Sequence, residues 1–385
     1  MALAVVVVLT TLAPAQTFTT LYNFSFGSDG GAPFAGVVQD AAGSLYGTTG
    51  GGGDLNCGGS GNGCGVVYKL DSAGTETVLH SFSGPDGEYP YTPLVRDKAG
   101  NIYGTTWGGG SSGNGTVFKI DTGGRETVLH SFTGGSDGCN PLQGLLLGQS
   151  GTVFGTTYMC GSSGYGTIFK VDSAGHFTVL HSFAGGSSDG WYPAFGHLTR
   201  DKSGSLYGLT EYGGARGDGA LYKLSKSGTL TLLYSFRGGS DGCNPYGTVV
   251  QDNAGNLYGT TEFCGSNSDY GTVWKVSKEG KETILHRFTG TSDGCYPYAG
   301  LARDAKGNLY GVAYGCGAGK SENWGVLFEL SARGRFTLLH SFGTGSDGVW
   351  PMGEVLRTSN GTLFGTTAYG GTHGLYGGTV WSFVP

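Results

Sequence analysis

His197, Glu211 and Glu262 are the acid and base side chains that break an otherwise repetitive sequence. Glu211 and Glu262 each directly follow a Leu-Tyr-Gly-x-Thr segment. Other copies of that segment are followed instead by Gly50, Trp107, Tyr158, Tyr314 and Ala368. Two carboxylates on neighbouring copies can act as acid and base in glycoside hydrolysis when roughly 5–9.5 Å separates them. His197 beside a tyrosine could instead abstract a proton, as in a polysaccharide lyase. It lies in a segment one residue longer than its counterparts, where later copies carry Thr248 and Glu354 and most others Gly. One inserted residue predicts a bulge that re-aims the side chain. Trp107, Tyr158, Trp191, Tyr192, Tyr296, Tyr314, Trp350 and Glu354 complete the candidate binding set. Aromatic rings stack on the apolar face of a sugar, and carboxylates accept its hydroxyls. The same rings also suit simple packing between loops.

The elements that must position these residues come from a repeat. Leu45-Tyr-Gly-Thr-Thr recurs around Tyr103, Phe154, Tyr207, Tyr258, Tyr310 and Phe364, at spacings of 51–57 residues. A second strand follows each copy, as in Gly115-Thr-Val-Phe-Lys-Ile120, and then a third, as in Thr127-Val-Leu-His-Ser-Phe132. A loop with Asp-Gly-x-x-Pro leads to a fourth, as in Gly36-Val-Val-Gln-Asp40. Four short strands in about fifty residues describe one propeller blade. The predicted fold is therefore all-β: a seven-bladed β-propeller of four-stranded antiparallel blades. We letter the strands A (Gly36 type, innermost), B (Leu-Tyr-Gly), C and D. The last copy ends on strand C, Gly378-Thr-Val-Trp-Ser-Phe383, and Thr19-Thr-Leu-Tyr-Asn-Phe24 supplies its strand D from the N-terminus. That pairing removes two open sheet edges.

Residues present in most copies are read as structural. His80, His130, His181, His286 and His340 share one strand-D position, with Tyr22 and Tyr234 in the other two copies. Asp29, Asp86, Asp137, Asp189, Asp241, Asp293 and Asp347 all precede Gly, where an Asp accepts bonds from turn N–H groups. A Ca²⁺ site needs clustered oxygens that these dispersed turns do not supply. The sequence thus predicts no metal and no other cofactor. Eight cysteines in an exported chain predict disulfides. Cys139 and Cys160, Cys243 and Cys264, and Cys295 and Cys316 are each separated by 21 residues, joining a D–A loop to the end of strand B in one blade. Cys57 and Cys64 remain as the fourth pair.

Residues 1–15 combine an apolar run with Ala13-Pro14-Ala15, the pattern of a signal peptide, leaving 16–385 as a single propeller domain. The net charge of −6, with no basic run, argues against nucleic acid as partner. No later segment reaches the apolar length of a membrane span.

The linked segments Leu-Tyr-Gly-Thr-Thr, Gly-Gly, Gly-Thr-Val-Phe-Lys and Thr-Val-Leu-His-Ser-Phe resemble the GloVer tandem repeats of exported bacterial proteins. The resemblance runs from Thr17 to Pro385 and implies extracellular or surface placement and a propeller-like fold. It brings no activity and no catalytic residue. The expected function is a secreted binding module for a glycan or cell-surface polymer. The alternatives are a carbohydrate-active enzyme with its site on the loop face, and a structural extracellular component.

Overall fold

The computed structural model describes residues 16–59, 61–265, 269–317, 324–343 and 345–385, so the signal-peptide assignment falls outside the described residues. Seven separate antiparallel sheets form, and in each the strands run A-B-C-D from the inside outward. In blade four strand A is split into Trp191–Pro193 and Thr199–Arg200, which both pair with strand B. Blade one is typical: Val38–Gln39, Leu45–Thr49, Val66–Leu70 and Glu76–Ser81. Blade seven takes Leu356–Arg357, Leu363–Thr367 and Thr379–Val384 from the end of the chain and Thr17–Asn23 from its beginning. Thr17 pairs with Val384 and Asn23 with Thr379, so the ring is closed by the expected strand.

The core lies between the blades. Each strand-B glycine pairs across the sheet with a large strand-C ring, as Gly259 does with Trp274. A Cβ on Gly259 would lie 2.4 Å from that indole, so only glycine lets the ring lie flat on its neighbour. The same ring meets the strand-D Phe of the preceding blade. Phe24–Tyr68, Phe82–Phe118, Phe132–Phe169, Phe183–Tyr222, Phe236–Trp274, Phe288–Phe328 and Phe342–Trp381 repeat this contact, with centroids 4.9–5.6 Å apart. Such pairs add about 0.5–1.5 kcal/mol each beyond the area they bury. One interface is thus copied around the whole ring.

The two repeated polar positions turn out to be partners. Nε2 of His80, His130, His181, His286 and His340 lies 2.8–3.1 Å from Asp86, Asp137, Asp189, Asp293 and Asp347. Tyr22 and Tyr234 donate to Asp29 and Asp241 in the other two blades. A second pairing covaries with sequence. Tyr46, Tyr103, Tyr207, Tyr258 and Tyr310 donate to the A–B turn residues Asp40, Asp97, Asp201, Asp252 and Asp304. Where strand B has Phe154 or Phe364, the corresponding turn position is Gly148 or Thr358.

All four disulfides join the expected cysteines: Cys57–Cys64, Cys139–Cys160, Cys243–Cys264 and Cys295–Cys316. Each 21-residue loop closure contributes about 3 kcal/mol.

Deleting Thr17–Phe24 should leave the outer edge of blade seven unpaired. We expect a fall in melting temperature of more than about 5 °C, or loss of solubility. Unchanged melting would contradict closure by this strand.

Candidate functional site

A repeated backbone feature builds the loop face. In every blade the residue before the strand-A proline has a positive φ of 50–59°: Ala32, Tyr89, Asn140, Tyr192, Asn244, Tyr296 and Trp350. Its N–H donates, at 2.9–3.1 Å, to a carbonyl in the B–C loop of the preceding blade. The acceptors are Gly377, Cys64, Asn114, Tyr165, Asp218, Tyr270 and Trp324. In five blades its own carbonyl accepts from the residue after strand B: Gly50, Trp107, Tyr158, Tyr314 and Ala368. The left-handed turn therefore ties blade to blade and also aims its side chain at the rim.

Rings at or next to these two positions meet. Tyr158 stacks on Tyr192 at 4.9 Å and Tyr296 on Tyr314 at 5.6 Å. Trp107 lies 6.3 Å from Tyr89, Trp191 stacks on Tyr212, and Trp350 packs edge-on against Tyr369. Trp107 and Trp350 are exposed, at 39% and 42%. The aromatic residues singled out in the sequence thus fall into local groups on successive blades, each built from the turn before strand A and the end of strand B.

The two glutamates are buried against rings of this set. Strand B runs two residues further in blades four and five, Leu206–Tyr212 and Leu257–Phe263, which draws Glu211 and Glu262 into the sheet. Both are 7% exposed, so they lie buried rather than on the open loop ends. Tyr158 donates to Glu211 at 2.7 Å and Tyr314 to Glu262 at 3.1 Å, each across a blade boundary. Burial pushes the Glu262 carboxyl up to about 7; the Tyr314 hydroxyl opposes this and the Glu211 charge adds to it. Burial and the same two carboxylates hold the Tyr246 and Tyr298 hydroxyls well above the usual phenol range.

His197 joins a different group. Its Nδ1–H donates to the Leu145 carbonyl at 2.9 Å, and its backbone N–H to the Thr248 hydroxyl at 2.7 Å. Thr248 in turn donates to Glu354, whose other oxygen lies 3.5 Å from His197 Nε2. Blades three, four, five and seven therefore meet at the axis. The expected bulge is present. Five residues separate Pro193 from Thr199 on strand A while two separate their partners Thr210 and Tyr207. In blade five three residues face one. Around this cluster the inner segments touch backbone to backbone: a Cβ on Gly247 would lie 2.4 Å from the Gly300 nitrogen. Among the described residues, His197 makes no hydrogen bond or ion pair with Glu211 or Glu262. The three residues expected to act together are divided between two clusters.

Above the axial cluster opens a cavity of roughly 230 Å³. Its walls include Phe34, Tyr91, Leu142, Phe195, Tyr298 and Met352, and Glu354 is also among the lining residues. Sequence reasoning missed this ring. The wall residue follows the strand-A proline in five of these six blades. In blade four Ala194 takes that place, and the inserted residue brings Phe195 in. In blade five Tyr246 follows the proline and stacks on Tyr298 at 4.7 Å.

The raised Glu262 carboxyl fixes a pH dependence. The folded protein holds this proton more tightly than the unfolded chain. Its stabilising contribution is full below pH 4.5 and is lost as pH rises through about 7. Glu262→Gln keeps the acceptor for Tyr314 and removes the charge. Between about pH 4 and about pH 8 the variant should gain about 3 kcal/mol relative to wild type in denaturant titrations. A difference independent of pH would contradict burial of an ionisable carboxyl here.

Comparison with known proteins places the fold. The chain is similar to the extracellular domain of a hybrid two component system from B. thetaiotaomicron, at TM-score 0.59 and 11% identity. The match covers 95% of this chain but 39% of that one. It is also similar to a 6-phosphogluconolactonase from Bacteroides uniformis, at TM-score 0.50 and 16% identity, over 78% of this chain and 84% of that one. At these identities the likeness shows the shared propeller alone. No curated protein matches. The Gloeobacter/Verrucomicrobia repeat matches twice, over residues 55–262 and 228–385, and the chain belongs to that family.

Proposed function

We propose that this propeller is a secreted or cell-envelope binding module that recognises a glycan or cell-surface polymer through its loop face. One observation carries the reading. Four blades place a bulky ring, Tyr89, Tyr192, Tyr296 or Trp350, in the left-handed conformation. A non-glycine residue there costs on the order of 1–3 kcal/mol. Blades three and five use Asn at the same turn, the residue that adopts it most readily after glycine. The same interblade hydrogen bond forms with Asn140 and Asn244, so that bond alone does not call for the rings. Ring faces beside tyrosine hydroxyls match the mixed apolar and polar surface of a sugar. The cavity inside the rim would take one terminal group, with Glu354 as its charged contact. Four disulfides and the likeness to an extracellular domain fit extracellular placement. Among the described residues no helix is long and apolar enough to cross a membrane.

The enzymatic alternative draws on His197 and Glu354 near the cavity floor, 3.5 Å apart. Burial of Glu211 and Glu262 behind tyrosines removes the open acid pair that glycoside hydrolysis would need. Binding is the better-supported reading.

A glycan array paired with a polysaccharide-degradation screen supplies the ligand. Against it, Trp107→Ala combined with Trp350→Ala should weaken binding by about tenfold or more with melting temperature preserved. Full affinity in that variant would refute the rim as the binding surface. Turnover of a polysaccharide, abolished by His197→Ala, would favour the enzyme instead.

A further inference from the structure

We propose that His80, Asp86 and Glu126 form a site for a divalent transition-metal ion of the Zn²⁺ class at the outer seam between blades one and two. The sequence alone predicts no metal; the structure brings an imidazole nitrogen and two carboxylate oxygens within 4.8 Å of one another. His80 and Asp86 come from strand D and the D–A loop of blade one. Glu126 opens strand D of blade two, Glu126–Ser131.

The other blades supply internal controls. Each strand-D histidine is paired with its aspartate, yet the residue facing it from the next blade differs. Phe177 stacks on His130 at 3.8 Å, Phe336 on His286 at 4.3 Å and Phe18 on His340 at 3.8 Å. Leu230 takes the corresponding strand position after His181. Among the described residues, only the strand-D pair at His80 is faced by a carboxylate. Glu76 and Glu282 occupy the same strand position but lie beside Tyr22–Asp29 and Tyr234–Asp241, where a phenol replaces the imidazole. Glu126 Oε1 is enclosed without a hydrogen-bond partner. The same oxygen is unpaired in Glu76 and Glu282, so the orphan marks the position and the histidine marks the site.

The donor set selects the ion. One imidazole nitrogen with two carboxylates suits Zn²⁺ and similar metals, whereas Ca²⁺ takes six to eight oxygens. Asp86 is already braced: its Oδ1 accepts from the Ser83 N–H at 2.9 Å and hydroxyl at 3.0 Å, aiming Oδ2 at His80 Nε2, 2.8 Å away. A tetrahedral ion about 2.0–2.2 Å from each ligand holds ligand atoms about 3.3 Å apart. Binding therefore requires a small opening of the His80–Asp86 contact and an inward swing of Glu126. Both blade-one side chains are 20% exposed, which leaves solvent access and room for a water as the fourth ligand. The ion would clasp two blades where other seams use a ring stack.

The test titrates chelator-treated full-length protein with Zn²⁺ by calorimetry and with Co²⁺ by visible absorption, beside Glu126→Gln. The variant should bind one Zn²⁺ fewer per chain, or bind it about tenfold or more weakly. It should also lose the tetrahedral Co²⁺ bands, and Zn²⁺ should raise the melting temperature of wild type only. Glu126→Phe, which installs the residue three other blades use, should lose the ion while remaining folded. Equal stoichiometry and affinity in wild type and Glu126→Gln would overturn the site, as would absence of binding to wild type at micromolar Zn²⁺.

Discussion

The left-handed residue before each strand-A proline is the contact on which the rest depends. Its N–H is spent on the preceding blade and, in most blades, its carbonyl on its own strand B, so one residue sets the angle between neighbouring sheets. The proline locks the backbone that follows and starts strand A towards the axis. Three disulfides reinforce the same point. Cys139, Cys243 and Cys295 immediately precede Asn140, Asn244 and Tyr296, and each is tied to the end of strand B. Covalent and hydrogen-bonded clamps thus converge on the left-handed turn in blades three, five and six.

From this turn the chain reaches the axis in a few residues, and the demands there are steric. Inner segments approach backbone to backbone, which restricts most of them to glycine. The polar departures, His197, Thr248 and Glu354, are accommodated by bonding to one another and to Leu145. Blade four makes room through its inserted residue. These three residues thereby partner one another at the axis, while the cavity walls above them are mostly apolar and aromatic.

Much of this was legible in the sequence because a fifty-residue period exposes strand order, closure and cysteine pairing directly. The strand-D histidines and loop aspartates were each visible as repeated features, though their mutual bond needed three dimensions. Two things were hidden. Strand B of blades four and five extends past its usual end, and nothing in Thr210-Glu211-Tyr212 or Thr261-Glu262-Phe263 announces that the glutamate is inside the sheet. The cavity wall was hidden for a different reason. Treating every repeated residue as structural discards a site to which each blade contributes one member. Phe34, Tyr91, Leu142, Tyr298 and Met352 were in view after their prolines, and the Asn at the left-handed turns of blades three and five hinted at the backbone that aims the rim.

The central claim is that the rim rings are held in a costly conformation for contact with a ligand rather than for the fold. Trp350→Asn tests it most directly, since Asn occupies the same turn in blades three and five and Trp350 is 42% exposed. Unfolding free energy measured by denaturant titration should stay level or rise by about 1 kcal/mol as the strain is relieved. A loss of more than about 1 kcal/mol would show that the ring serves packing and would contradict the account.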